Sequence, residues 1–392
     1  MALRKVNNIR WGVILNYIAL VVNIIISIIY TPFMLNLLGQ EEHGIWTTVS
    51  AIMSWLSLLS LGIGSSFIKF FAKYKKEKRE DLMAGLNGLF IIIFVIIGIV
   101  ALFCGIVMAN NLHLLFDSGL TPDQYGTAKI LSIIITVDMA VGFPASVFSA
   151  IIGANEKFVF SAVLGLIQNL CSPFLNLMVL YSGYGSIGLV TVTVCLDFIM
   201  YSVKVMYCFT KLKIKVKFRG AEKGILKSIF SFTIFITINM LISRLNATVD
   251  NVLLTRYISP AAASIYAIGG ALNHYYTAFS SPVTSVFGPR VYRTVAENED
   301  DKSELRKKLS ELFTKLGRIK FMVMGLLMTG IIFFGQAFIH FWAGDSYNDS
   351  YWVALLLVVS GTFAAIQVIA PDVQRALNKH WVRTVVYAIQ TV

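Results

Sequence analysis

The chain has little of what a soluble domain is made from. Charged residues are 14% of its 392 and hydrophobic residues 57%, whereas an average soluble chain carries roughly 25% charge. Prolines number only 8, so long helices can run with few interruptions. The cysteines, Cys104, Cys171, Cys195 and Cys208, all lie inside apolar runs. None has metal-ligand spacing or sits in an outer gap, which excludes a disulfide framework and a zinc site. There is no Gly-x-x-x-x-Gly-Lys-Ser/Thr loop, no Gly-x-Ser-x-Gly elbow and no His/Asp/Glu cluster. Direct use of ATP, hydrolase chemistry and metal catalysis therefore find no support. A basic N-terminus precedes the first apolar run, but that run is too long for a signal peptide and no A-x-A-like site follows it. No linker, low-complexity tract or soluble domain interrupts the pattern.

What is present is a series of apolar runs, each about the 20 residues that a helix needs to cross a bilayer core of about 30 Å. They fall at 11–36, 44–68, 84–109, 127–152, 159–181, 187–209, 228–254, 262–287, 319–339, 351–371 and 384 onward. Every second gap is basic. Residues 1–10, 69–83, 153–158, 204–227, 289–320 and 374–383 together hold 30 of the 33 Lys and Arg. Basic loops collect on the cytoplasmic side. The alternation thus predicts a multi-pass membrane protein with its N-terminus in the cytoplasm. It also accounts for the net charge of +12 without nucleic acid, for which no binding pattern is present. Only Lys129, Arg244 and Arg256 escape the rule. In the long inner segment, Glu304 with Lys308 and Lys307 with Glu311 are spaced for helical ion pairs, which predicts a short surface helix there.

The chain also repeats itself. With an offset of 220 residues, 35–74 lies over 255–294: Gly44-Ile45-Trp46 falls on Ser264-Ile265-Tyr266, and Lys73 on Arg293. A fainter echo pairs Gly153–Phe158 with Ala376–Trp381. Copies six spans apart have the same orientation, a transporter pattern. The expected fold is all-α, with two pseudo-symmetric six-helix bundles, the second incomplete, and about 10–11 spans present. The boundaries are 1–210 for the N-terminal bundle, 211–227 for a basic connector and 228–392 for the C-terminal bundle.

Several motifs resemble one family. Leu37-Leu38-Gly39-Gln40-Glu41-Glu42-His43-Gly44-Ile45-Trp46 resembles the turn between the first two spans of bacterial polysaccharide-precursor flippases. Leu58–Ser66, followed by Lys69 and Lys73, is similar to the end of that family's second span. Tyr184-Gly185-Ser186-Ile187-Gly188-Leu189 and Tyr257–Tyr266 match two further turns. The resemblance covers essentially the whole chain and implies the multidrug/oligosaccharidyl-lipid/polysaccharide exporter superfamily. It implies a secondary transporter that flips polyprenyl-pyrophosphate-linked oligosaccharide to the outer leaflet for O-antigen, capsule or similar polymers. No cofactor is implied; an H+ or Na+ gradient would supply the energy. The implied partners are the lipid-linked oligosaccharide, the bilayer, and a polysaccharide polymerase with glycosyltransferases. Two departures stand out. Ser264 replaces a usual Gly, and the chain stops in its eleventh span where the family has twelve or fourteen, so it reads as C-terminally incomplete.

A path for an anionic headgroup calls for polar residues at helical spacing within apolar spans. Asn16 and Asn23 form such a stripe with Ser27 and Tyr30. Gln168 and Asn176 form another with Ser161 and Ser172, and Asn239 and Asn246 a third with Ser243. His274 lies on the eighth span. Span three is nearly free of polar residues, which puts it against lipid or apolar neighbours. Charges inside spans carry more information, because each costs roughly 2.5–3.5 kcal/mol to insert at a helix centre. Arg244 is the candidate for the headgroup, since guanidinium suits phosphate oxygens; an ion pair with an in-membrane Asp is the alternative. Asp138, Asp197 and Asp250 are the candidates for ion coupling. Rival readings are an exporter of cationic drugs or of lipid-linked peptidoglycan precursor, and a non-transporting partner in a polysaccharide assembly complex. A membrane-embedded polymerase or glycosyltransferase would need a sizeable outer loop, and the outer gaps are short.

Overall fold

The computed structural model describes residues 22–60, 63–114, 121–155, 157–218, 248–280 and 301–367, with isolated positions between and after them. Among these residues the chain is helical throughout, with no strand. In order, α1 covers Val22–Leu38 and α2 Gln40–Met53, which continues as a 3-10 stretch over Ser54–Ser60. Then come α3 (Ile63–Lys76), α4 (Glu80–Asn110), α5 (Pro122–Ala154), α6 (Phe158–Tyr181) and α7 (Gly185–Thr210). Helical residues 248–257 form α8. They are followed by α9 (Pro260–Ala278), α10 (Lys302–Ala343) and α11 (Ser350–Ile366). Five of these helices are long and apolar enough to cross a bilayer, and the bent pair α1–α2 makes a sixth candidate. The other expected spans are shorter apolar helices here or lie partly or wholly outside the described residues.

The chain divides into two compact units, Met1–Ala263 and Ser264–Val392. Within the first unit, side chains of α8 hydrogen-bond to α2.

The first unit is built around α4, α5 and α7. Pro122 opens α5 at a position where its missing N–H costs nothing. The capping box between Thr121 and Gln124 satisfies the donors beside it. Around α3 the unit has an aromatic core in which Phe67 meets Phe90 edge-on, with ring centroids 5.1 Å apart. On α4, Ile92, Ile96, Ile99, Phe103 and Ile106 are exposed at helical spacing, the lipid-facing stripe expected of span three. The connector is docked. Lys217 N donates to Ala84 O at 2.9 Å, and Asn87 Nδ2 donates to Lys215 O at 3.0 Å. Leu212 and Ile214 pack on the core, while the alternate residues Lys211, Lys213, Lys215 and Lys217 point to solvent.

In the second unit, α9, α10 and α11 close on Tyr276. Its hydroxyl lies 2.6 Å from Thr362 Oγ1 and donates to Met324 O at 3.2 Å. The short surface helix expected within 289–320 is not formed as a separate element in the described part. Residues from Lys302 onward are the first turns of α10, 42 residues long. Asp301 caps its first turn, and with no Pro between 302 and 343 nothing stops the helix. The Glu304–Lys308 pair does form, at 3.4 Å. Lys320, assigned to an inner loop by the charge pattern, is instead 2% exposed. It donates to Ser280 Oγ at 2.8 Å and to Ala365 O at 3.2 Å.

Candidate functional site: an acidic cavity walled by α2, α5 and α7

The first unit contains a cavity of about 300 Å³ bounded by three helices. Trp46, Ser50 and Ser54 line it from α2 and the 3-10 stretch after it. Asp138 and Met139 line it from α5, and Thr193, Val194 and Asp197 from α7. Asp138 and Asp197 thus face the same cavity, one from α5 and one from α7. Among the described residues that line it there is no Lys or Arg.

Each acid is held from one side. Tyr201, one turn beyond Asp197, donates its hydroxyl to Asp138 Oδ1 at 3.3 Å. The tyrosine reaches across because α5 carries Gly142 there; an added Cβ would stand 2.9 Å from the Tyr201 hydroxyl oxygen. From α6, Gln168 Nε2 donates to Asp197 Oδ1 at 2.5 Å. Lys204 does not bridge to Asp197. Its Nζ sits 6.0 Å from the centre of the Tyr201 ring and reaches Asp197 only through its field.

The N-terminal end of α2 is pinned to this bundle. Glu42 Oε1 accepts from both the backbone N and the hydroxyl of Ser186, at 2.6 and 2.7 Å. A carboxylate is favoured at a helix N-terminus, here that of α7. Glu41 accepts from Gln124 Nε2 at 2.7 Å, which ties α2 to the start of α5. The opposite face of α2 meets α8 and the start of α9. Gly44 abuts the Pro260 carbonyl so closely that a Cβ would overlap it. Thr48 Oγ1 lies 2.6 Å from Thr255 Oγ1, and Trp55 Nε1 donates to Thr248 Oγ1 at 2.7 Å.

Of the candidates named from sequence, Asp138, Asp197 and Gln168 come together at this cavity. Asn176 is buried close by, accepting from Thr193 at 3.2 Å and donating to Ser172 Oγ at 3.4 Å. It also bonds with Tyr30 of α1. Asn23 is exposed on α1 and accepts from Ser27 at 3.4 Å. Asp250 is half-buried on α8 and His274 exposed on α9, both outside the lining. Asn16, Asn239, Arg244 and Asn246 lie outside the described residues. Trp46, Ser50 and Ser54 were not singled out as site residues, although their i, i+4, i+8 spacing marks one face of a helix. Among the described residues, no three His, Cys, Asp or Glu side chains gather as metal ligands would.

Comparison with known proteins gives the family and the fold. Residues 33–352 match the family described as "Polysaccharide biosynthesis protein". The chain belongs to this family. Among curated polysaccharide biosynthesis relatives, a stretch of 55 residues is 26% identical to a putative O-antigen transporter of Salmonella typhi. That stretch is 14% of this chain and 13% of the relative. In three dimensions the family member resembles an inward-facing multidrug resistance MATE transporter of the MOP superfamily. The TM-score is 0.71 at 13% identity, over 96% of this chain and 88% of the other. It also resembles the lipid II flippase MurJ in an inward closed conformation. There the TM-score is 0.67 at 16% identity, over 96% and 79% of the two chains. At these identities the likeness establishes the fold, that of the MOP transporters.

Proposed function

We propose that this polysaccharide biosynthesis family member is a secondary transporter rather than an enzyme. In this reading it flips polyprenyl-pyrophosphate-linked oligosaccharide from the cytoplasmic to the outer leaflet of the bacterial inner membrane. The observation that carries the reading is the pair Asp138 and Asp197, facing one cavity between three helices with no basic residue among the described residues that line it. Two acids that face one site of low polarity favour uptake of one cation, a proton or Na+. Gln168 and Tyr201 hold the carboxylates in place for it. The cation's gradient then drives movement of an anionic cargo bound elsewhere. For that binding we propose Arg244, with Asn16, Asn239 and Asn246 along the headgroup's path. A polysaccharide polymerase and glycosyltransferases would act after and before the flipping step.

The acidic cavity also favours a second reading, export of a cationic compound held by the same acids. One assay separates them. In proteoliposomes with an imposed H+ or Na+ gradient, the flippase reading expects outward movement of a fluorescent lipid-linked oligosaccharide. That movement should be lost in Arg244→Ala and in Asp138→Asn at unchanged protein levels. Ion-driven efflux of a cationic dye that is indifferent to Arg244→Ala would support the second reading. Oligosaccharide flipping at normal rate in Arg244→Ala would remove that residue from the path.

A further inference from the structure

The connector that leaves α7 is a basic strip fixed in place. Lys211, Lys213, Lys215 and Lys217 are exposed at alternate positions, while Leu212 and Ile214 pack on the core. Its backbone is tied to α4, where Lys217 N donates to Ala84 O and Asn87 Nδ2 donates to Lys215 O. Gly88 lies so close to the Lys217 carbonyl that a Cβ would overlap it. Lys215 pairs with Glu80 at 3.2 Å and Lys217 with Asp81 at 2.7 Å. Among the described residues, no carboxylate pairs with Lys211 or Lys213, nor with Lys78 and Arg79 in the turn before α4. Glu80, next in the chain to that turn, brings it up to the strip. Two of these unpaired cations sit on strained backbone. Lys78 at φ 56° and Lys213 at φ 48° are the two non-glycine residues with left-handed φ among those described. Glycine adopts this conformation freely, and a side chain disfavours it. Strain kept by a lysine at both places points to a use for a fixed ammonium.

The strip lies at the depth of lipid phosphates. The lipid-facing stripe of α4 runs from Ile92 to Ile106, with Ile99 at its middle. For a helix near the membrane normal, half of a hydrocarbon core about 30 Å thick is about 10 residues at about 1.5 Å each. The core therefore ends near Leu89, and the headgroup layer takes about the next 5–7 Å. Ala84, Asn87 and Gly88, which hold the strip, fall within that layer. Phe218, exposed directly after Lys217, adds an apolar side chain at the same level.

We propose that the docked connector and the turn before α4 form a binding site for an anionic phospholipid, in the leaflet that the charge rule assigns to the cytoplasm. Lys211 and Lys213, with Lys78 and Arg79, take the headgroup phosphate, and Phe218 lies against the first carbons of an acyl chain. Lys215 and Lys217 are positioning residues, held by Glu80 and Asp81. Lysines on a loose loop would attract anionic lipid only as a diffuse cloud. Here the backbone is fixed, so the cations meet one headgroup together. The depth favours a lipid over an acidic partner protein, which would reach the strip only through the headgroup layer. The site is distinct from the acid cavity and holds whatever the protein transports.

The test uses the full chain in neutral detergent with equimolar phosphatidylglycerol and phosphatidylcholine, and counts the retained lipids by native mass spectrometry. The parent should retain phosphatidylglycerol about tenfold or more over phosphatidylcholine. Each lysine near an anionic surface is worth about fivefold, so Lys211→Gln with Lys213→Gln should remove most of that preference. Gly88→Ala keeps every charge but displaces the connector, and should lower the preference as well. Lys213→Gly should weaken retention while leaving the thermal midpoint at or above that of the parent, a pair of results that a purely structural lysine would not give. The charge-matched control, Lys307→Gln with Lys315→Gln on α10, should change nothing. An equal loss in that control would overturn the site, as would full preference in either the Lys211/Lys213 double variant or Gly88→Ala. Displacement of phosphatidylglycerol by undecaprenyl diphosphate at one-tenth of its concentration would also overturn it, and would give the strip to the cargo.

Discussion

Gly44 and Ser264 occupy the same place in the two copies of the repeat, and the fold uses them in opposite ways. Gly44 is where backbone meets backbone, with the Pro260 carbonyl in the space a side chain would take. Ser264, fully buried in the second unit, fills its space and donates its hydroxyl to Tyr347 at 3.1 Å. The departure from Gly in the second copy is therefore matched by a partner, and burial pushes the Tyr347 phenol above its ordinary range while that hydrogen bond opposes the shift. The same contrast holds for buried charge. The first unit turns two acids towards a cavity, whereas the second encloses Lys320 among oxygen acceptors. One copy keeps room for change and the other has filled it.

The largest expected effect comes from filling the room. Gly44→Leu should separate α2 from Pro260 and stop transport. Thermal unfolding in detergent should show a loss of about 1–3 kcal/mol, the usual cost of overpacking. Asp138→Asn should come next. It should remove ion dependence from transport while leaving the unfolding midpoint within a few degrees of the parent, because the side chain keeps its shape and the Tyr201 contact. Lys320→Met should do the reverse: a stability loss of roughly 1–3 kcal/mol from orphaned acceptors, with the ion dependence of transport intact. Ser264→Gly should be mildest, about 1 kcal/mol, with transport retained. If Ser264→Gly were as damaging as Gly44→Leu, the contrast between the copies would collapse.

The helical fold and the lipid-facing stripe of α4 were legible in the sequence, since composition and periodicity follow directly from the bilayer as solvent. The repeat pointed to the turn at Gly44 and Ser264 but not to what fills each. That depends on Pro260 and on Tyr347, the latter 83 residues away from Ser264. Asp138, Asp197 and Gln168 were visible as polar groups in apolar helices. Their convergence was not, because spacing along one helix says nothing of which neighbour it faces. Lys320 was misread for a physical reason. A lysine at the edge of an apolar run looks the same whether its ammonium reaches water or turns inward to carbonyl and hydroxyl oxygens.

The docked connector has a consequence for how the molecule is made. Through Lys217 and Asn87 the segment leaving α7 is fastened back onto α4, and its apolar side chains pack on the aromatic core. Ile225 and Ile229 are buried in the same core, so a ribosome that has delivered residue 229 has delivered the side chains described in it. The α3–α7 core can then settle in the membrane while the remaining helices are still being synthesised.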